Sequence, residues 1–342
     1  MVSIRAARSA CRHSFVALGL VVSCVLAAGN AVAQSAPQPD WSLADMPSQE
    51  GRIFLVTGGT SGMGYEDARA LALAGAEVVI AARNPERGAE AIERIRQEVP
   101  DAQLRFEAVD LASLASVRAL GERLNATLPR LDGLINNAAI MAPPERAESA
   151  DGFEMQLATN YLGHFALTAE LLPLLREGDS ARVVTLSSIA AARGSIDFDD
   201  LQSEQSYDPY GVYAQSKLAC LMFAFELQRR SESENWGIRS IAAHPGVAVT
   251  ELVERGPGLD SDFGNNWARD RERYHTPAQG ALPTLYAATA PEAQAGAYYG
   301  PIGENEQRGP LGLATVPSAA QDAEAASRLW DISEQLTGIS YR

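Results

Sequence analysis

Lysine is almost absent from this sequence. Of the 28 lysines and arginines in 342 residues, Lys217 is the only lysine. A general preference for arginine explains the missing lysines but not the one that remains. A site that needs a compact ammonium, which the planar guanidinium cannot imitate, would explain it. Cysteine is scarce as well. Cys11 and Cys24 lie in the N-terminal leader and Cys220 in the body, so without the leader no internal disulfide can form. His13, His164, His244 and His275 are scattered, and none stands at helical spacing from another ligand type, so no metal site is expected. Positive charge is in deficit. A net charge of −15 leaves no basic face for a phosphate backbone, so no nucleic-acid partner is expected. A local basic pocket for a small phosphate is not excluded. No repeat of solenoid length is present.

The chain opens with Arg5, Arg8 and Arg12, an apolar run from Phe15 to Ala28, and the small-x-small triplet Ala31-Val32-Ala33. The run is too short for an ordinary membrane span, and the order reads as an export signal over residues 1–33. A periplasmic or secreted protein is therefore expected, with a cytoplasmic or membrane-anchored one as the alternative if the leader stays attached. Residues 34–50 read as a polar linker and 51–342 as the folded body.

From Arg52 onward strand-like and helix-like stretches alternate. Short apolar runs occur at Ile53–Val56, Val78–Ala81, Leu104–Val109, Leu134–Ile135, Val183–Leu186 and Ser240–Ala243. Amphipathic stretches occur at Glu86–Glu98, Ser113–Ala126, Met155–Leu175 and Tyr213–Arg230, with a last helix over Ala319–Leu336. Buried strands alternating with helices predict an α/β, Rossmann-type, doubly wound parallel sheet of about seven strands with helices on both faces. The stretch Glu251–His275, rich in Gly, Asn and Asp and without clear period, is read as a lid or a plain surface loop.

The first strand runs into Thr57-Gly58-Gly59-Thr60-Ser61-Gly62-Met63-Gly64 and then a helix. Strand, glycine turn and helix in that order let backbone approach a pyrophosphate and aim free N–H groups at it. The second strand ends Ala81-Ala82-Arg83, with no acid to hold a ribose 2′-hydroxyl and a guanidinium suited to a 2′-phosphate. NADP(H) is therefore expected over NAD(H). Further on, Tyr213 and Lys217 stand four apart, on one face of a helix. A nearby ammonium lowers a phenol's pKa from its usual value of about 10, and bringing it to about 7 would need roughly 4 kcal/mol of preference for the phenolate. That pairing suits general acid–base chemistry. Ser188, at the end of the fifth strand, can hydrogen-bond a substrate oxygen as charge develops on it.

These motifs resemble the short-chain dehydrogenase/reductase family. The turn has its TGxxxGxG form, Tyr213–Lys217 its YxxxK, Asn136-Asn137-Ala138-Ala139 its NNAG with Ala139 for glycine, and Pro245–Thr250 its PGxxxT. The resemblance implies a cofactor cradle of Gly58, Thr60, Ser61, Gly62, Met63 and Gly64. It adds Asp110 and Leu111 at the adenine, and Asn137, Ala138 and Ala139 at the ribose. Pro245, Gly246, the Val247 backbone and Thr250 come at the nicotinamide carboxamide. It implies catalysis by Tyr213, Lys217 and Ser188, with Asn160 holding a water in a proton relay. Asp110 reads equally well as a turn residue. The long gap between Ser188 and Tyr213, with Leu329–Glu334, is similar to the retinol dehydrogenase/protochlorophyllide reductase-like branch. The activity implied is carbonyl–alcohol interconversion on an apolar small molecule, with a substrate-binding extension over 251–342. Pairing of two copies through the helices carrying Asn160 and Tyr213 is also implied. The other readings are a C=C reductase on the same fold and a non-catalytic NADP sensor.

Overall fold

The computed structural model describes residues 41–341. The export-signal reading of residues 1–33 lies outside the described residues, as does the first part of the linker. Residues 41–50 do not behave as a free tether. Trp41 is buried, with its ring edge-on to Tyr286 at 5.4 Å, and Gln49 is buried as well.

One eight-stranded sheet organises the body. Its strands are β1 (Ile53–Thr57), β2 (Glu77–Ala82), β3 (Leu104–Ala108), β4 (Gly133–Asn136), β5 (Arg182–Leu186), β6 (Arg239–Ala243), β7 (Tyr298–Pro301) and β8 (Leu311–Leu313). The order is β3-β2-β1-β4-β5-β6-β7-β8, parallel throughout except for antiparallel β8 at the edge. The first six strands sit where the apolar runs predict them. The last two were not read from the sequence, because Tyr-Tyr-Gly-Pro and Leu-Gly-Leu are short and broken by glycine and proline.

The helices among the described residues are α1 (Gly62–Leu73), α2 (Pro85–Glu98), α3 (Leu114–Thr127), α4 (Gly163–Glu170), α5 (Leu172–Arg176), α6 (Pro209–Glu234), α7 (Leu252–Arg255), α8 (Asp262–Asp270), α9 (Pro277–Thr289) and α10 (Ala323–Thr337). Period-2 alternation of the strands divides the core. Ile53, Leu55, Val79, Leu134 and Val183 face the side covered by α3, α4, α6 and α10. Phe54, Val56, Val78, Ile80, Ile135 and Val184 face the side covered by α1, α2 and α9. Both faces are therefore dry, and truncating a fully buried leucine such as Leu134 to alanine would cost about 2–5 kcal/mol.

Local chemistry sets the helix ends that matter for the site. Asp208 caps α6, accepting from the Gly211 N–H at 3.0 Å, and Pro209 opens the helix with its φ already set. The stretch Met155–Leu175, expected as one helix, is broken into a π-helical turn at Leu157–Leu162, then α4 and α5. Gly163 presses on the Leu111 carbonyl so closely that a Cβ would stand 2.3 Å from it, and Pro173 is the second residue of α5. The stretch Glu251–His275 holds two short helices, α7 and α8, in place of an irregular loop.

Candidate active site

The strand order reverses between β1 and β4, and the chain leaves the carboxyl ends of β1 to β6 around one cleft, where open α/β sheets bind ligands. The cleft is about 1920 Å³. It is lined by the glycine turn, Arg83, Asp110, Asn137–Ala139, Ser188, Tyr213, Lys217, Pro245–Ala248 and Thr250, so the structure brings together nearly every residue the motifs name.

The floor is backbone. Gly58 and Gly62 have φ of +69° and +56°, which disfavours a side chain there. A Cβ on Gly64 would stand 2.4 Å from Asn137 Nδ2 and 2.7 Å from the Gly58 carbonyl. Thr57 ties this turn to the next strand, its hydroxyl accepting from the N–H groups of Asn137 (2.9 Å) and Ala138 (3.0 Å). The Ser61 side chain does not cap α1, so the first-turn N–H groups remain open toward the cleft. A narrow glycine cradle under an uncapped helix start fits a dinucleotide's phosphates.

The reactive groups come from β5 and α6. Ser188 Oγ accepts from the Ala190 N–H at 3.1 Å, which leaves its own proton to donate. Ser187, by contrast, donates to the Lys217 carbonyl at 2.7 Å and anchors α6. Lys217 Nζ donates to the Leu186 carbonyl at 3.1 Å and stands 5.9 Å from the Tyr213 ring centroid. Burial pushes the Tyr213 phenol up to about 12, with the Ser188 hydroxyl pulling it down. Burial also holds the Lys217 ammonium below its usual value. Without a bound nucleotide, burial outweighs the pull expected from Lys217, and the expected acidity also draws on the positive charge of an oxidised nicotinamide. The ammonium is engaged with the strand, and desolvation wins.

Other expectations are corrected here. Asn160 is buried and does not line the cleft. Its side chain clamps Ile140, accepting from the N–H at 2.9 Å and donating to the carbonyl at 3.0 Å, and it also donates to Ser216 Oγ at 2.9 Å. Its carbonyl accepts from His164 Nδ1 (2.9 Å) and Cys220 Sγ (3.1 Å). The π-helical turn thus directs the Asn160 side chain inward as a brace on Ile140 and Ser216. Since His164 Nδ1 must donate to that carbonyl, its Nε2 accepts from the Thr57 hydroxyl at 2.9 Å, and burial keeps the ring neutral by lowering its pKa to about 4. The Val247 backbone is also occupied, its N–H on the Gln307 carbonyl at 2.8 Å and its carbonyl on the His275 N–H at 3.0 Å. Asp110 makes a turn, Oδ1 accepting from the Ala112 N–H at 3.0 Å, while still edging the cleft beside Leu111.

Sequence reasoning missed four residues on or beside the cleft. Arg87, one helical turn beyond Arg83, pairs with Glu251 at 2.9 Å, and that spacing was the available signal. Trp267 of α8 joins Met141, Val253 and Tyr213 in a small apolar cluster. Tyr298 arrives from β7 and Glu306 from the loop between β7 and β8 at the sheet edge. No local pattern marks these last three.

A parallel sheet with its cleft at the switch point, a glycine cradle, and a Tyr–Lys–Ser set facing it define a dinucleotide-binding oxidoreductase of the Rossmann type. Residues 52–257 match the family model described as short chain dehydrogenase, and the chain belongs to the short-chain dehydrogenase/reductase family, in its retinol dehydrogenase-like branch. It is an enzyme acting on the CH–OH group of donors, in a family that binds NAD(P). It is 40% identical over 333 residues to a mouse polyprenol dehydrogenase, covering 93% of this chain and 94% of that one. It is 39% identical over 305 residues to mouse retinol dehydrogenase 14, covering 84% and 86%. Among solved structures, an uncharacterized protein from Mycobacterium paratuberculosis superposes with a TM-score of 0.73 at 36% identity, covering 88% of this chain and 99% of that one.

The same comparison overturns the periplasmic or secreted expectation. The relatives that match 93% and 84% of this chain are a polyprenol dehydrogenase and a retinol dehydrogenase of mouse. A basic start and an apolar run are shared by many N-terminal segments, so that pattern alone misassigned the destination.

Proposed function

We propose that this enzyme interconverts an apolar carbonyl compound and its alcohol with NADP(H). One observation carries the reading: Tyr213, Ser188 and Lys217 converge in the cleft that the glycine cradle floors. When bound, the cofactor supplies or accepts the hydride. Tyr213 gives its proton to the substrate oxygen during reduction and takes it back during oxidation. The Ser188 hydroxyl, whose Oγ accepts from Ala190 and which also bonds the Tyr213 phenol, steadies that oxygen as charge builds on it. Lys217, one helical turn along, favours the phenolate when Tyr213 gives up its proton. The Thr250 hydroxyl is the remaining group for a carboxamide, since the Val247 N–H is engaged. Arg83 is exposed at the end of β2, makes no ion pair among the described residues, and has Arg87 nearby, a setting that suits a 2′-phosphate. Met141, Val253 and Trp267 around Tyr213 suit an apolar substrate.

Tyr213→Phe tests the proposal. NADPH binding should stay within about twofold, and tighter than NADH binding, while NADPH oxidation with a panel of apolar ketones and aldehydes falls by about 10²–10⁴. A variant that turns over like the parent would sink the mechanism, and a protein that binds NADPH but reduces nothing would favour the sensor reading. Oxidation needs the phenolate, and burial holds the phenol above its ordinary value. In that direction kcat/KM should therefore climb as pH rises through neutrality.

A further inference from the structure

The loop between β7 and β8 lies outside every motif, yet it returns to the cleft. Residues 303–309 cross the Pro245–Val247 turn as a strap. The Val247 N–H donates to the Gln307 carbonyl at 2.8 Å. The Gly309 N–H donates to His275 Nε2 at 3.2 Å, so the proton of that neutral ring sits on Nδ1, 3.2 Å from the Pro245 carbonyl. Asn305 and Glu306 both adopt left-handed backbone, with φ of 50° and 55°. Residues with side chains hold that conformation only where surrounding contacts over-determine it.

Glu306 is the third fastening. One carboxylate oxygen accepts from the Thr315 N–H at 2.7 Å, and the other stands 3.3 Å from His244 Nε2. The His244 side chain has no exposed surface, and this nitrogen has no other partner; the approach is off the straight line of a full hydrogen bond. His244 Nδ1 accepts from the Gly246 N–H at 3.2 Å, so in the neutral ring Nε2 carries the proton and faces the carboxylate. Gly300 makes room beneath, since a Cβ there would stand 2.0 Å from Nε2. The Tyr298 ring lies 5.0 Å away, centroid to centroid, and its hydroxyl donates to the Ser188 carbonyl at 3.4 Å. Burial works to raise the Glu306 carboxyl, but His244 and Thr315 hold it at about 2, so it is charged at any working pH.

We propose that Glu306 is a positioning residue which, through His244, fixes the Pro245–Val247 turn against which the nicotinamide end of a dinucleotide would rest. This builds on the NADP(H) reading above. The turn's polar groups are held by the strap and by two histidines, not by the sheet, so loosening the strap should disturb the nicotinamide half of the site and spare the adenosine half.

Calorimetric titration of the full chain with NADPH and with 2′,5′-ADP, which lacks the nicotinamide, separates the two halves. In Glu306→Ala, NADPH should bind about tenfold more weakly and 2′,5′-ADP within about twofold of the parent. Glu306→Gln keeps the shape and an acceptor for Thr315 while losing the charge, and should fall between. Equal weakening of both ligands, or unchanged NADPH binding in both variants, would overturn the proposal. A parent protein that binds neither ligand would overturn the NADP(H) reading itself, and this inference with it.

Discussion

On the β1–β4 side of the cleft the surface is made by backbone; on the lid side it is made by side chains. Gly58, Gly62 and Gly64 leave main chain bare, and Thr57 and Asn137 lock it with hydrogen bonds. Across from them, Val253 and Trp267 close over Tyr213 through apolar contact alone. Backbone walls admit few residue types at each position, so they leave motifs. Side-chain walls admit many, so they leave none. The contrast explains why cofactor class and chemistry can be argued from one wall while the choice of substrate depends on the other.

The sharpest way to break this contrast is Gly64→Ala. Its Cβ would meet Asn137 Nδ2 at 2.4 Å and the Gly58 carbonyl at 2.7 Å, and a backbone carbonyl cannot step aside like a side-chain tip. NADPH affinity should fall by about a hundredfold or more, read by titration, and the thermal unfolding midpoint should fall with it, because the clash is with the chain's own backbone. Undiminished binding would mean that the cradle does not hold the phosphates. On the opposite wall, Trp267→Leu should do the reverse. The indole N–H has no hydrogen-bond partner to lose, so what is removed is apolar contact and the seat of the Arg271 guanidinium over the ring, 5.5 Å from its centroid. KM for an apolar carbonyl substrate should rise about tenfold with NADPH affinity unchanged. If NADPH affinity fell as well, the two walls would not be separable.

The same division governs what could be read in advance. Strands β1 to β6 were legible because a sheet buried on both faces needs continuous apolar runs. Helix α9 was not, because Pro283 lies inside it and small residues such as Gly280 and Ala281 give no amphipathic stripe. Tyr213, Lys217 and Ser188 were legible through spacing and order. The acidity of Tyr213 was not, since it depends on how deeply α6 is buried and on where Lys217 Nζ turns, which are properties of the packed molecule. Asn160 shows the limit from another side. The residue stands where the motif puts it, yet the π-helical turn gives its hydrogen bonds to Ile140 and Ser216. The strap over Pro245–Val247 comes from the sheet edge, far away in sequence, and no local pattern announces it.

The smallest effect concerns what lies behind the backbone wall. Asp67, on the helix that starts at the glycine cradle, is fully buried, and neither carboxylate oxygen has a hydrogen-bond partner. Burial, with a lesser push from Glu66, raises its pKa well above the usual 3.8. The unfolded chain releases this proton near pH 4. The folded chain keeps it to higher pH, so above pH 4 the folded state binds more protons and its stability falls as pH rises. Asp67→Asn removes that dependence whatever fixed cost a buried amide adds. Relative to the parent, the variant should therefore gain about 1.4 kcal/mol per pH unit for as long as the folded parent carboxyl stays protonated. Urea unfolding of both proteins at pH 5, 6, 7 and 8 would show the gap changing with pH. Parallel curves would mean that Asp67 is charged in the fold and has found a partner, and that the helix under the cradle is not burdened by it.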